Sequence, residues 1–278
     1  MNTIVTTGYK FMDIDSYACM VAYAELLGGL AVSDAPMNLS IVDSEERVVR
    51  NYQPNVDDKY IIVDISDPSK FNSIVHEEQI IEVIDHHFGF EGYWKERGVA
   101  EQIEKIGAAA TIIWERWRDA EKLNEMSEAS GRLLMQAILD NTLDFMANVA
   151  NERDKTAYDD LTERFGDMRE EYFAAVEENI LRDLAGALRD DMKQAHFKTL
   201  GREVDLYQLA VWDANRVLEQ EDLVLEIIGD GLLNLISISK SESQIITRSA
   251  ATKKLIDELM NGQKLFLRKE VMKRDLEA

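Results

Sequence analysis

Two short runs, residues 60–65 (YIIVDI) and 80–84 (IIEVI), are apolar almost throughout, and Asp64 and Asp85 stand at their carboxyl ends. A strand with one wet face alternates polar and apolar residues. A near-continuous apolar run has both faces covered, as in a parallel sheet sandwiched between helices. The rest of the first half agrees with that reading. Residues 3–7 and 38–42 read as strands. Helices are expected at about 14–27, closed by Gly28-Gly29, and at about 108–123, 128–139 and 153–165. Trp114 and Trp117, three apart on one of these helices, read as a packing stripe rather than a ligand pair.

A long amphipathic segment, 168–189, leads into a second region. There, strands are expected at 207–211, 232–237 and 265–267, with a helix near 251–260. The expected class is α/β: an N-terminal parallel sheet flanked by helices in residues 1–184, and a smaller α/β C-terminal domain in 185–278. No Pro- or Ser-rich linker separates them, so a short ordered connection is expected.

Length and composition narrow the function. At 278 residues and 46% hydrophobic, the chain can bury two cores. It has no apolar run of about 18 residues, so no membrane-spanning helix is expected. The N-terminus lacks the basic start and apolar stretch of a signal peptide, and Cys19, the single cysteine, can form neither an internal disulfide nor a thiolate zinc cluster. A cytoplasmic setting fits these features. A net charge of −22 opposes nucleic acid as a partner, and it would also repel a small anion unless a cation sits locally in the site.

Four segments carry candidate chemistry. Asp13 and Asp15 follow the first strand, where ligands of such sheets bind, although Asp15 and Ser16 would also serve as plain helix caps. Asp64 closes an apolar strand, a costly place for a carboxylate that is neither paired nor metal-bound. Asp85-His86-His87 closes another, and it contains two of only four histidines in the chain. Neighbouring side chains in extended backbone point to opposite sides, which would let one imidazole ligate a metal while the other faces substrate. Asn141, in ILDNTLDF at a helix end, reads alone as a cap or turn residue. Oxygen ligands with imidazole and without thiolate suit Mn²⁺ or Mg²⁺.

Taken in order, these segments resemble the DHH superfamily, in the branch with a DHHA2 C-terminal domain that holds manganese-dependent family II inorganic pyrophosphatases and exopolyphosphatases. Asp85-His86-His87 is the defining triplet. GYKFMDIDS is similar to the family's opening G-H-x-x-P-D-x-D-S, VDISDP to its second aspartate motif, and Gly107–Thr111 with ILDNTLDF to the stretch bearing a fourth aspartate. Asp191-Met192-Lys193 resembles a D-x-K element, and residues 267–271 (LRKEV) resemble a closing S-R-K-K-Q.

The resemblance implies a phosphoanhydride hydrolase using a metal-activated water, with one or two Mn²⁺ or Mg²⁺ ions. Asp13, Asp15, Asp64, His86 and Asn141 would hold metal. Asp64, His86 and His87 would carry the catalysis, and His87, Lys193, Arg268 and Lys269 would bind the phosphates of a small substrate. It also implies a homodimer without nucleic-acid or membrane partners. The chain departs from the pattern where Tyr9 replaces a ligand histidine, Asn141 replaces an aspartate, and Leu267, Glu270 and Val271 replace the serine, second lysine and glutamine of the closing motif. These departures favour a broad phosphoesterase over a dedicated pyrophosphatase. They also keep open a second reading, a metal- or phosphate-binding regulatory protein that has lost catalysis.

Overall fold

The structure is a computed structural model that describes residues 1–42 and 46–277, the side chain of Asp191 excepted. It divides into two compact units between Arg169 and Glu170, ahead of the expected 184/185 boundary.

The first unit contains, in chain order, β1 (Thr3–Thr6), α1 (Ile14–Leu27), β2 (Leu30–Ala31), β3 (Lys59–Val63), β4 (Ile80–Asp85), β5 (Ala100–Ile103), α2 (Ala109–Asp119), α3 (Glu128–Thr142) and α4 (Glu152–Phe165). All strand pairings are parallel, in the order β2-β1-β3-β4-β5. The chain winds outward from β1 to β2, then returns to the other flank of β1 with β3. Such a reversal opens a crevice at the carboxyl ends of β1 and β3.

Tyr60, Ile61, Ile62 and Val63 of β3 are buried, as a strand covered on both faces requires. Glu82 interrupts the apolar run of β4 without a desolvation penalty, because Tyr23 Oη (2.7 Å) and Arg116 Nη2 (2.8 Å) both donate to its carboxylate. Helix α1 is buried on most of its surface and packs on α2 and α3. It ends at Gly28, whose φ of 64° closes the last turn in the left-handed region.

Two expected strands are absent. At residues 38–42, Asn38 Oδ1 accepts from the Ser40 amide (2.9 Å) and hydroxyl (2.6 Å), a local turn that competes with strand pairing. The edge strand is Leu30–Ala31 instead. At residues 265–267, the Phe266 carbonyl is taken by the side chains of Ser243 and Asn234 rather than by a strand ladder. The half-buried polar edge strand β5 was not expected, because its sequence AEQI carries no apolar pattern.

The second unit comprises α5 (Arg169–Arg182), α6 (Leu184–Asp191), β6 (Lys193–Phe197), β7 (Arg202–Val211), α7 (Asn215–Leu218), α8 (Glu221–Ile228), β8 (Leu232–Ser237), β9 (Glu242–Ile246), α9 (Ala250–Met260) and α10 (Arg268–Glu277). Its sheet runs β6-β7-β8-β9, parallel only between β7 and β8. Phe197, Leu206, Leu232, Ile256 and Phe266 lie in its core. The expected single segment 168–189 is broken at Asp183, which caps α6 by accepting from the Gly186 amide. The strands β6 and β9, both mostly polar, were missed for the same reason as β5.

Gly107, which leads into α2, donates its amide to buried Asp154 Oδ2 at 3.1 Å. A Cβ at Gly107 would lie 2.5 Å from that oxygen and 2.6 Å from Thr142 Cγ2. Gly107→Ala is therefore expected to destabilise the protein by about 1–3 kcal/mol. A urea midpoint shifted down with an unchanged m-value would show it, and an unchanged midpoint would refute it.

Candidate metal centre

The chain leaves β1 through a loop pinned at Tyr9 N–Lys70 O (3.1 Å) and Met12 N–Pro36 O (2.8 Å), and then enters α1. Asp13 is the N-cap. Its carboxylate accepts from Ser16 N at 3.0 Å while its own amide donates to Ser16 Oγ at 3.1 Å. The cap is thus Asp13 with Ser16, which leaves Asp15 for another task.

Asp15 is fully buried, and both its oxygens are held by the start of α2: Ala109 N donates to Oδ2 (2.9 Å) and Ala110 N to Oδ1 (2.8 Å). Helix α2 has no cap of its own, since Ala108 stands at the N-cap position. A carboxylate from α1 serves as its capping group, favoured by the positive end of the helix dipole. The start of α2 is aimed in turn by Asp154, which accepts from Gly107 N, Thr111 Oγ1 (2.6 Å) and Asn151 N (2.9 Å). Sequence reasoning missed Asp154. Its place in the capping box begun by Asn151 gave it an ordinary local reason, and nothing in the sequence set it apart.

Asp64 follows β3 in the left-handed region, with φ of 59°. Asp is among the residues that tolerate this conformation best. The turn swings its carboxylate inward, where it is 8% exposed. His86 follows β4, and its Nδ1 lies 3.2 Å from the Ile106 carbonyl. A carbonyl only accepts, so Nδ1 carries the proton and Nε2 faces the carboxylates. It lies 3.3 Å from Asp64 Oδ1 and 3.6 Å from Asp15 Oδ2. His87 Nδ1 is 2.9 Å from Asp85 Oδ1 and 3.8 Å from Asp64 Oδ1.

Opposite-sided histidines were expected, and the rings instead meet edge to face at 4.4 Å. Strand β4 ends at Asp85, so the alternation of extended backbone stops there. The buried Asp85 carboxylate accepts from the amides of His86 (2.8 Å) and His87 (3.1 Å), which turns both rings toward Asp64.

Electrostatics fit a cation. Burial pushes the Asp15 carboxyl up to about 6, and the neighbouring imidazole only partly offsets this. Burial, reinforced by Asp15 and Asp13, pushes Asp64 well above the carboxylate range. Burial would lower the His86 imidazolium, yet Asp64 and Asp15 override it and push it up to about 10. At Asp85, burial is outweighed by the bonds from His87, which hold its carboxyl below the usual range. Asp64 Oδ1 is buried and, despite its two imidazole neighbours, accepts no hydrogen bond of proper geometry. An orphaned carboxylate oxygen, with the ligand atoms of Asp64, His86 and His87 all within 4.8 Å of one another, suits a divalent ion. The imidazole Nδ1–H given to a carbonyl is the partner a metal-ligating histidine requires.

The other expected residues stand differently. Asp13 is half-buried at the edge of the cluster, where its charge acts on Asp15 and Asp64. Asn141 lies in the last turn of α3, and its amide donates back to Ala137 O at 3.4 Å. Lys193, Arg268 and Lys269 belong to the second unit. Lys193 and Lys269 are exposed, whereas Arg268 is buried and donates from Nη1 to Leu206 O at 3.3 Å.

No family model matches the chain. It is 24% identical over 253 residues to a probable manganese-dependent inorganic pyrophosphatase of Bacillus cereus, covering 84% of this chain and 81% of that one. It is 27% identical to the protein of the same name from Shouchella clausii, covering 82% and 78% respectively. Among solved structures, a Methanococcus jannaschii protein assigned to the family II inorganic pyrophosphatases aligns over 99% of both chains, with a TM-score of 0.61 at 19% identity. An exopolyphosphatase-related protein of Bacteroides fragilis aligns over 99% of this chain and 92% of its own, with a TM-score of 0.55 at 12% identity. The chain is thus similar over most of its length to manganese-dependent inorganic pyrophosphatases and shares its fold with a family II pyrophosphatase and an exopolyphosphatase-related protein, which is consistent with the DHH/DHHA2 superfamily.

Proposed function

We propose that this protein hydrolyses phosphoanhydride bonds with the help of Mn²⁺ or Mg²⁺. The convergence of Asp15, Asp64, His86 and His87 at one edge of a parallel sheet, around the orphaned Asp64 oxygen, carries the reading. The names of the relatives support manganese and a phosphoanhydride substrate. Asp64 and His86 would hold the ion, with Asp15 and Asp13 supplying further negative charge. A bound divalent ion supplies Lewis acidity toward a water and countercharge for phosphate oxygens.

The chain's own groups do the rest. Asp85 fixes the His87 tautomer by accepting a hydrogen bond from Nδ1–H, which leaves Nε2 on an exposed ring to take up or deliver a proton at the leaving phosphate oxygen. Lys193, Lys269 and Arg268 are the candidate phosphate-binding cations of the second unit.

Purified protein with Mn²⁺ is expected to release phosphate from pyrophosphate, inorganic tripolyphosphate or a nucleoside tetraphosphate. Asp64→Ala and His86→Ala should each lower that rate about 100-fold or more with the fold intact by circular dichroism. No release from any of these substrates while Mn²⁺ is demonstrably bound would favour the non-catalytic binder instead. Asp85→Asn weakens the orientation of His87 without removing a ligand, and an activity about 10–100-fold below the parent is expected. Parental activity in that variant would contradict the positioning role.

Metal affinity should rise with pH. To supply its charge Asp15 must ionise from about 6, and to ligate His86 must release the proton that the carboxylates retain on it, against burial, to about 10. Cation and proton compete, so binding releases protons, and affinity climbs from about pH 6, where Asp15 ionises, to about pH 10, where His86 loses its proton. Calorimetry in buffers of different ionisation enthalpy measures this. A pH-independent Kd would count against the ligand set.

A further inference from the structure

The rim of the proposed cation site is aromatic. The chain holds 22 aromatic residues (Trp 4, Tyr 9, Phe 9), and among the described ones only Tyr9, Phe11 and Phe88 are exposed, at 57%, 48% and 66%. All three lie beside cluster residues along the chain. Phe88 follows His87 directly, and Tyr9 and Phe11 sit on the loop between β1 and Asp13. Every other aromatic ring is at least partly withdrawn from water, so aromatic exposure is confined to the two loops that bear Asp13 and His87.

The loop that carries two of the rings is stiff. Tyr9 N bonds Lys70 O, Met12 N bonds Pro36 O, and Asn38 N bonds Met12 O. A Cβ on Gly8 would lie 3.0 Å from Ile65 Cδ1 and 3.2 Å from Lys70 O, so the loop is seated on the chain that follows β3. Between the two rings stands Lys10, exposed, with Nζ 6.0 Å from the Phe11 ring centroid. It places one cation beside the rim of a chain whose net charge is −22.

Strands β1 and β4 are separated only by β3, so the loops at their carboxyl ends lie about 10 Å apart, a gap of nucleoside dimensions. Neither pyrophosphate nor inorganic polyphosphate has a group that could meet three aromatic rings. A nucleobase does, because every base offers a π-face to stack on Tyr or Phe.

We propose that Tyr9, Phe11 and Phe88 form a stacking platform for the base of a nucleoside polyphosphate, whose phosphate chain enters the Asp64–His86–His87 cluster. This rests on the reading of that cluster as a cation site for phosphate. It names the substrate class that the site takes.

The test compares two ligands with the same number of phosphates, adenosine triphosphate and inorganic tripolyphosphate, each titrated into the full chain in the presence of Mn²⁺ by calorimetry. The nucleotide is expected to bind about tenfold or more tightly. Phe11→Ala and Phe88→Ala should each reduce that preference, and the double variant should remove it, with tripolyphosphate affinity unchanged throughout. Equal affinities in the parent chain would overturn the platform, as would a preference that survives the double variant. An equal loss for both ligands would show that the rings merely support the cluster. A shift in sedimentation mass in the double variant would assign them to self-association instead. If neither ligand binds with Mn²⁺ dependence, the cation-site reading falls with the platform, whereas Mn²⁺-dependent binding without discrimination sinks the platform alone.

Discussion

Asp15 ties the candidate site to the fold. Removing an ion of this size from water costs several kcal/mol even after relaxation, so a carboxylate with no exposed surface persists only where the protein answers its charge. Here the answer comes from two amides at the start of α2, the dipole behind them, and an imidazole 3.6 Å away. The amides are in place only because the Gly107 turn and Thr111 are gripped by Asp154 from α4. A continuous polar path therefore runs from α4 through the Gly107 turn and the start of α2 to Asp15, then across His86 to Asp64. Each member compensates a neighbour that would be costly to bury alone.

The parts of this path differ in how plainly the chain announces them. Asp64 and the Asp85-His86-His87 triplet could be picked out because a charged or polar residue at the end of an apolar strand has few innocent explanations. The extent of helix α1 was readable from its apolar run and Gly28, whereas its N-cap is Asp13 and not Asp15 as the sequence also allowed. Asp154 was not readable: third in a capping box after Asn151, it has an ordinary local reason to be where it is, and its contacts with Gly107 and Thr111 span more than 40 residues. The two histidines do not point to opposite sides because the rule for extended backbone stops at Asp85, and both stand beyond the strand. The strands β5, β6 and β9 escaped notice for another reason. They lie at sheet edges, where one side is wet and the apolar pattern that marks a buried strand is not required.

Four of the eight non-glycine residues with positive φ among the described residues adjoin the candidate segments. Asp64 is left-handed, and so are Leu143, Asp144 and Phe145 in succession, with φ of 47°, 53° and 63°, just past Asn141. Leu and Phe have no short polar side chain to ease that conformation. The turn is held from outside: Phe145 N donates to Thr142 Oγ1 at 3.0 Å, Ala147 N to Thr142 O at 2.9 Å, and Asp144 lies within ion-pair range of Arg169. Burial raises the Asp144 carboxyl even with that arginine beside it. Asn141 thus stands on a chain reversal that is rigid by construction, which fixes the direction in which the segment after α3 departs.

Charge presents the remaining tension, because the chain as a whole repels the anions that its site is proposed to take. Distance decides between the two effects. At physiological ionic strength, exposed charges are largely screened beyond about 8 Å, so most of the −22 acts weakly on a ligand at the sheet edge. The groups of the cluster act within 4 Å, in a buried setting where screening is slight. Asp13, Asp15 and Asp64 against one imidazole leave a local excess of negative charge whenever the carboxylates are ionised. That excess is unfavourable to phosphate by itself and favourable to a divalent cation. The same residues that would reject an anion directly are therefore the ones that recruit the ion needed to accept it, and the acidity of the chain and an anionic ligand are compatible only through that cation.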